Sequence, residues 1–212
     1  MWNYLKIADA HVFLGNEDAA IHWIEKAVRE REFRKFDVFK AKRYDLIRND
    51  PRFKVLLDEI LADLDIGKPA KDFVARLIDG SELSLSSLRG QVVLIDFWAT
   101  WCPPCLEELP NLEAMYESYH DDGFEILSIC LDEGEDVSRA RDFLAQHQPP
   151  WKLRFSEKGY EDEIVKLYKV NGLPSTWLIN RDGNLHRVAI HGYELREEVA
   201  KLVARPVPLE KS

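Results

Sequence analysis

Cysteine is scarce in this chain, with three among 212 residues, and long hydrophobic runs and excess positive charge are missing. So few cysteines exclude a disulfide-stapled secreted scaffold. No apolar run approaches the roughly 18 residues of a membrane span, so no membrane segment is expected. The formal net charge of −9 disfavours nucleic acid as a partner. Met1 to Lys6 show no basic region followed by an apolar one, so the chain as it stands reads as cytoplasmic, and as extracytoplasmic if a signal or upstream region was removed.

Residues 1–65 are predicted to form a small all-helical domain. Apolar residues recur at helical spacing, Gly15 interrupts them, and Asp50-Pro51 is a cap residue followed by proline at the first position of a further helix. Leu14-Gly15, Ala20 and Ala27 resemble one tetratricopeptide repeat, although a plain helical hairpin with an added helix fits as well. One repeat cannot bury its own faces, so a protein partner of these helices is possible.

The pattern changes after residues 66–71, which read as a linker. Residues 72–205 alternate apolar strands with helical segments and end in a hairpin at Arg181-Asp182-Gly183, and 206–212 form a tail. Alternation of this kind predicts an α/β domain, a central mixed sheet with helices on both faces.

The sequence Trp101-Cys102-Pro103-Pro104-Cys105 places two thiols between an apolar strand, residues 92–98, and a predicted helix, residues 106–119. A helix N-terminus favours a thiolate, because its unpaired N–H groups and its dipole stabilise negative charge. Thiols at this spacing can also close on each other, and they can release a foreign thiol from a mixed disulfide by intramolecular exchange. The sequence therefore predicts a thiol–disulfide exchange site.

Asp96 is the charged residue within the apolar strand that precedes the cysteines. A carboxylate desolvated there would have a raised pKa and could accept a proton near neutrality. An aspartate that faces water at a sheet edge is the simpler alternative.

Residues 70 to about 203 resemble the thioredoxin fold and, within it, the TlpA/ResA-like disulfide reductases. The resemblance rests on Asp79-Gly80, residues 85–90, Phe97 to Cys105, Glu108-Leu109-Pro110 and Gly172-Leu173-Pro174-Ser175-Thr176. It also predicts that the helix continues through Pro110. One departure is Asp96, where many TlpA-like proteins carry asparagine and thioredoxins carry an acid.

The resemblance implies how the site works. Cys102 would be the exposed nucleophile and Cys105 the partly buried resolving thiol, with Asp96 as its proton acceptor. Pro174 would be a cis-proline opposite the dithiol, bringing the Leu173 backbone beside Cys102 for an extended peptide. Substrate contacts would come from Trp101, Pro103, Pro104 and Leu173. The expected partners are protein disulfides and a thiol electron donor.

The segment from Gly90 to Ser138 contains 12 acidic residues and no lysine or arginine. Negative charge near Cys102 would destabilise its thiolate and so favour a reductase over an oxidase. Cys130, in a later apolar strand, is expected to be a packing residue. His147, His186 and His191 show no metal-ligand spacing with the cysteines, so neither a metal nor a cofactor is expected.

Two alternatives from other classes remain open. Peroxiredoxins need Thr or Ser three residues before the nucleophile, and here Ala99 stands there while Thr100 is two before Cys102. Peroxide reduction is therefore disfavoured. The other alternative is an interaction module, in which the helical domain recruits partners and the dithiol has a regulatory function.

Overall fold

The computed structural model describes residues 4–29, 44–63 and 65–204, with the side chains of residues 60–64 left out. Two compact units divide between Ile66 and Gly67. The predicted tail, residues 206–212, lies outside the described residues. No helix in the described ranges combines the length and the apolar character needed to cross a bilayer.

The first unit has three described helices: α1 (Tyr4–Phe13), α2 (Glu17–Arg29) and α3 (Pro51–Asp63). Ala8 of α1 and Ala20 and Ala27 of α2 are almost fully buried in one core cluster, where small side chains let helices approach closely. Tyr44 and Phe53 contribute the largest side chains of this core. At the start of α3, a carboxylate oxygen of Asp50 accepts from the Arg52 N–H at 2.8 Å, as expected of a residue that caps a helix.

The second unit is built on a five-stranded mixed sheet in the order β5-β4-β3-β6-β7. Its strands are β3 (Val92–Trp98), β4 (Phe124–Cys130), β5 (Lys152–Phe155), β6 (Ser175–Ile179) and β7 (Leu185–Val188). β3, β4 and β5 run parallel, whereas β6 is antiparallel to β3 and to β7. A separate hairpin consists of β1 (Val74–Arg76) and β2 (Glu82–Ser84). Every residue of β3 and β4 is buried, as in a sheet covered on both faces.

The described part of this unit has four α-helices: α4 (Pro103–Tyr119), α5 (Val137–His147), α6 (Glu163–Leu167) and α7 (Gly192–Val203). Val92 and Leu94 of β3 pack in one core cluster with residues of α4 and α7, such as Met115 and Val199. Because side chains alternate along a strand, Asp96 lies on the same face as Leu94. Phe97, on the opposite face, contacts the ring of Tyr168, which follows α6. The predicted mixed sheet with helices on both faces is confirmed.

The structure differs from the linker predicted at residues 66–71. The Gly67 N–H donates to the Leu185 carbonyl at 2.7 Å, and the Leu185 N–H donates to the Lys68 carbonyl at 2.9 Å. Pro69 pairs with Asn184 in an isolated bridge, and the Tyr168 hydroxyl donates to the Lys71 carbonyl at 2.8 Å. Glycine and proline in this segment correctly indicate irregular backbone. Residues 67–71 are nevertheless bound to the sheet rather than free, because β7 offers unpaired backbone groups.

Arg181 joins three parts of the second unit. Its guanidinium donates to the carbonyls of Gly90 at 2.7 Å, Asp122 at 2.7 Å and Val203 at 3.0 Å. Gly123 leaves room for it, since a Cβ built there would lie 2.8 Å from Arg181 Nη1. The loops before β3 and β4 and the end of α7 are thus fixed at the end of the sheet opposite the cysteines.

Candidate active site

The two cysteines lie at the N-terminus of α4, shortly after the end of β3. After Trp98 the chain turns, with the Cys102 N–H donating to the Ala99 carbonyl at 3.2 Å, and Cys102 takes the N-cap position of α4 in an extended conformation. Pro103 and Pro104 occupy the first two helical positions, where proline's fixed φ suits the helix. The helix therefore begins three residues earlier than predicted. It continues through Pro110, as predicted.

Cys102 and Cys105 form a disulfide, with their Cα atoms 5.3 Å apart. Both residues are buried, at 5% and 3% exposure, so the expectation that Cys102 is markedly more exposed than Cys105 is wrong for this oxidised form. The surface around them belongs instead to Trp101, which is 41% exposed, and to the exposed Pro103 and Pro104. The dithiol is therefore less exposed than the residues next to it in the chain, a difference that the spacing of the motif does not reveal.

Pro103 and Pro104 also change what the helix N-terminus offers to a thiolate. Neither has an N–H, and the next two N–H groups, of Cys105 and Leu106, donate to the Cys102 carbonyl at 3.0 and 3.2 Å. The hydrogen-bond donors expected at a helix N-terminus are therefore either missing or engaged. This leaves the helix dipole as the stabilising influence on a Cys102 thiolate.

Asp96 is buried at 4% exposure, which excludes the alternative of a water-facing aspartate. Burial raises the pKa of Asp96 from 3.8 to about 7, and the negative charge of Glu108 raises it further. The Ser128 hydroxyl, which donates to Asp96 Oδ2 at 3.4 Å, has the opposite effect and lowers this pKa. Ser128 in turn accepts from Trp151 Nε1 at 2.8 Å. The carboxyl therefore changes its protonation state near neutral pH, as the sequence predicted for this position.

Burial of Asp96 has a consequence for stability. The folded protein keeps the Asp96 proton up to about pH 7, whereas the unfolded chain releases it near pH 3.8, so Asp96 makes stability fall as pH rises through this window. We expect Asp96→Asn to raise the free energy of unfolding at pH 8 by up to about 4 kcal/mol and to change it little near pH 4. Denaturant unfolding of the disulfide form at both pH values measures this. Glu107→Gln, which removes an exposed acid of α4, is the control, and an equal effect of Asp96→Asn at both pH values would contradict the prediction.

Pro174 lies at the same end of the sheet. The Leu173–Pro174 peptide bond is cis, and β6 starts at the next residue, Ser175, which is paired with Phe97 of β3. The register of these antiparallel strands therefore brings Pro174 alongside the end of β3, from which the chain continues to Cys102. The predicted contacts of a substrate with Leu173 stay a prediction.

Glu108 links the active-site helix to the start of α7. Its Oε1 accepts from the Gly192 N–H at 2.8 Å and from Asn111 Nδ2 at 2.6 Å. From the sequence, Glu108 is named as part of the Glu108-Leu109-Pro110 motif, but its partner Gly192 is 84 residues away along the chain and could not be inferred. Together with its effect on the Asp96 pKa, this contact makes Glu108 part of the site.

Cys130 is the free cysteine of the described residues, and it is buried at the end of β4. Its thiol donates to Asp132 Oδ2 at 3.2 Å. Burial, together with the charges of Asp132 and Asp96, raises the pKa of this thiol. A neutral buried thiol is a poor nucleophile, so Cys130 fits the packing function predicted for it. Within the described ranges, no cluster of three or more histidine, cysteine or acidic side chains is arranged to hold a metal ion.

Comparison with known proteins identifies the family. The family model described as AhpC/TSA matches residues 66–188. The chain belongs to the AhpC/TSA family. It is also 31% identical over 145 residues to the thiol-disulfide oxidoreductase ResA of Bacillus thuringiensis, a match that covers 68% of this chain and 80% of that protein. The resemblance to ResA-like thiol–disulfide oxidoreductases is therefore confirmed.

Solved structures agree with this family. The thioredoxin domain of a thiol-disulfide oxidoreductase from Bacteroides vulgatus is 25% identical, with a TM-score of 0.58, and the match covers 65% of this chain and 97% of that domain. A thiol-disulfide oxidoreductase from Bacteroides fragilis is 27% identical, with a TM-score of 0.57, and the match covers 64% of this chain and 99% of that one. The predicted thioredoxin-like fold is confirmed. The protein is a thioredoxin-like thiol–disulfide oxidoreductase.

Proposed function

We propose that this protein is a protein-disulfide reductase that acts through Cys102 and Cys105. The observation that carries the proposal is the Cys102–Cys105 disulfide at the N-terminus of α4, on the sheet face that also holds a buried Asp96 with a pKa of about 7. A dithiol that can close supplies two electrons, and a nearby acid that titrates near neutrality can take up the proton that the second thiol must lose.

The reaction proceeds in two exchanges. In the first, the Cys102 thiolate attacks one sulfur of the substrate disulfide, forming a Cys102–substrate disulfide and releasing one substrate thiolate. In the second, Cys105 gives its proton to the Asp96 carboxylate and attacks the Cys102 sulfur, which closes the Cys102–Cys105 disulfide and releases the other substrate thiolate. The substrate gains two electrons, the protein loses two, and a thiol donor restores the dithiol by the reverse exchanges.

The surroundings of Cys102 support the direction of reduction. Pro103 and Pro104 remove two N–H groups that would stabilise a thiolate, and the nearby acids Asp96 and Glu108 disfavour negative charge. A less stabilised thiolate means a less stabilised reduced form, hence a stronger reductant.

The exposed residues around the dithiol support a protein substrate. Trp101, Pro103 and Pro104 form an apolar rim at the disulfide, and an extended segment lying across it could pair with the backbone at Leu173, beside the cis Pro174. Apolar contacts flanking a disulfide suit a peptide better than a small molecule such as hydrogen peroxide. Thr100, whose hydroxyl donates to Asp132, is committed elsewhere, which also disfavours the peroxidase alternative.

Reduction of insulin by dithiothreitol tests the proposal. We expect catalytic amounts of the protein to accelerate the precipitation of the insulin B chain, and to leave hydrogen peroxide consumption under the same conditions at the uncatalysed rate. No acceleration of insulin reduction, with a partner still bound by the helical unit, would favour the interaction module instead. Faster peroxide consumption without insulin reduction would favour the peroxidase.

A further inference from the structure

Asp132 is a fully buried carboxylate two residues past the end of β4. Its Oδ2 accepts from the Thr100 N–H at 2.8 Å, and its Oδ1 accepts from the Thr100 hydroxyl. The charge is partly balanced by Arg139 of α5, whose Nη2 lies 3.8 Å from Asp132 Oδ1 and whose Nε donates to the Thr100 hydroxyl at 2.9 Å. Thr100 is thus hydrogen-bonded both by Asp132, which follows β4, and by Arg139 of α5.

Thr100 lies inside the turn that carries the reactive sulfur. Trp98 and Cys130 are paired at the ends of β3 and β4, and the Leu131 N–H donates to the Trp98 carbonyl at 2.8 Å, so the two chains leave the sheet side by side. Thr100 then precedes Cys102 by two residues, a span of about 7 Å at most. Asp132 is therefore held against the segment from which Cys102 enters α4.

We propose that Asp132 positions the Ala99–Cys102 turn and that the balance between its charge and that of Arg139 tunes the reduction potential of the dithiol. A buried negative charge held against this turn is weakly screened by solvent and salt, so it destabilises a Cys102 thiolate and favours the disulfide. Arg139 offsets this only in part, because its side chain is 53% exposed and it also pairs with Asp136 at 3.0 Å. The proposal rests on the redox activity of the dithiol proposed above.

Three other acids belong to the elements involved. Asp96 comes from β3 and Glu108 from α4, and Asp136 occupies the N-cap position of α5 and pairs with Arg139. Substitutions of Asp132 and Arg139 leave these groups in place, so a difference between variant and unchanged protein reports on the exchanged charge. One substitution removes a negative charge and the other a positive charge, so an electrostatic effect should shift the dithiol–disulfide equilibrium in opposite directions. Structural damage would not depend on the sign of the charge that is removed.

The test is the equilibrium of each variant with dithiothreitol at pH 8, read from the fraction of the Cys102–Cys105 disulfide. We expect Asp132→Asn to shift the equilibrium constant about tenfold toward the dithiol, because a negative charge is removed. We expect Arg139→Gln to shift it about threefold toward the disulfide, since an exposed charge acts more weakly. Asp142→Asn, which removes an exposed acid from the same helix as Arg139, is the control and should leave the constant unchanged.

Shifts in the same direction for both variants, or no shift in either, overturn the proposal. Should Asp132→Asn fail to fold, Arg139→Gln decides alone, because Arg139 lies at the surface, and an unchanged constant in that variant overturns the proposal. Failure of the proposed reductase function is distinguishable, because it would appear as a lack of insulin reduction by the unchanged protein, whatever the variants do to the dithiothreitol equilibrium.

Discussion

Cys102→Ser is expected to reduce thiol–disulfide exchange to the uncatalysed rate, whereas Cys105→Ser is expected to remain covalently joined to its substrate. The reason is that serine cannot form a disulfide, so loss of the attacking sulfur prevents the first exchange. Loss of the resolving sulfur leaves the first exchange intact but removes the second. Incubation with an oxidised protein substrate, followed by non-reducing electrophoresis, detects the adduct as a band that a reductant abolishes.

Cys130→Ser provides the matched control, because it removes a sulfur from the same unit and retains a hydroxyl that can donate to Asp132 as the thiol does. We expect this variant to form no stable adduct and to keep its rate of insulin reduction. Equal residual turnover in Cys102→Ser and Cys105→Ser would show that the two cysteines do not divide the reaction in this way. If Cys102→Ser forms the adduct instead, Cys105 is the attacking thiol and Cys102 the resolving thiol.

Asp96→Asn is expected to slow the second exchange by about 100-fold at pH 7 while leaving the first attack largely intact. The carboxyl of Asp96 has a pKa of about 7, so above this pH it is a carboxylate that can accept the Cys105 proton, and below it the acceptor is already protonated. Resolution by the unchanged protein should therefore accelerate as pH rises through about 7. Asparagine cannot take up the proton, so the variant should lack this inflection.

Rapid-quench measurement of both steps between pH 5 and 9 separates them. The dithiol form is mixed with an excess of a small disulfide and quenched with acid, so that the Cys102 mixed disulfide is seen to form in the first exchange and to decay in the second. Glu107→Gln, which removes an exposed acid from α4, should retain the inflection. A uniform slowing of both steps by Asp96→Asn, or an inflection that stays near pH 7 in that variant, would be inconsistent with a proton acceptor at Asp96.

How far the sequence predicted the site depends on whether the signal is local. Three of the site residues, Cys102, Cys105 and Asp96, can be recognised from the local sequence. A charged residue inside an apolar strand and the two cysteines after it all lie within ten residues. The hydrogen-bond partners of Glu108 and Asp132 cannot be inferred from the local sequence. Gly192 and Thr100 lie 84 and 32 positions away, and only the strand register and helix packing bring them together.

Two of the differences between the sequence predictions and the structure have different physical origins. The predicted exposure of Cys102 is wrong for the disulfide form because burial depends on the tertiary packing around a turn, which the local sequence does not determine. The linker prediction for residues 66–71 does not reveal the bonds of residues 67–70 to β7, because composition reports the conformational freedom of a segment and not whether a neighbouring strand binds it. The apolar strand predicted at residues 92–98 coincides with β3, since an apolar run bounded by turn residues is a strong local signal.

The contact between residues 67–70 and β7 bears on self-association. β7 is the outermost strand of the sheet, and a bare outermost strand is a template onto which another chain can add, the usual first step of aggregation. A shortened protein that begins at residue 72, where sequence alone would have started the thioredoxin-like domain, would leave the Leu185 N–H and carbonyl without their partners. The solubility of the thioredoxin-like unit would thus depend on residues 67–71, which carry no catalytic group.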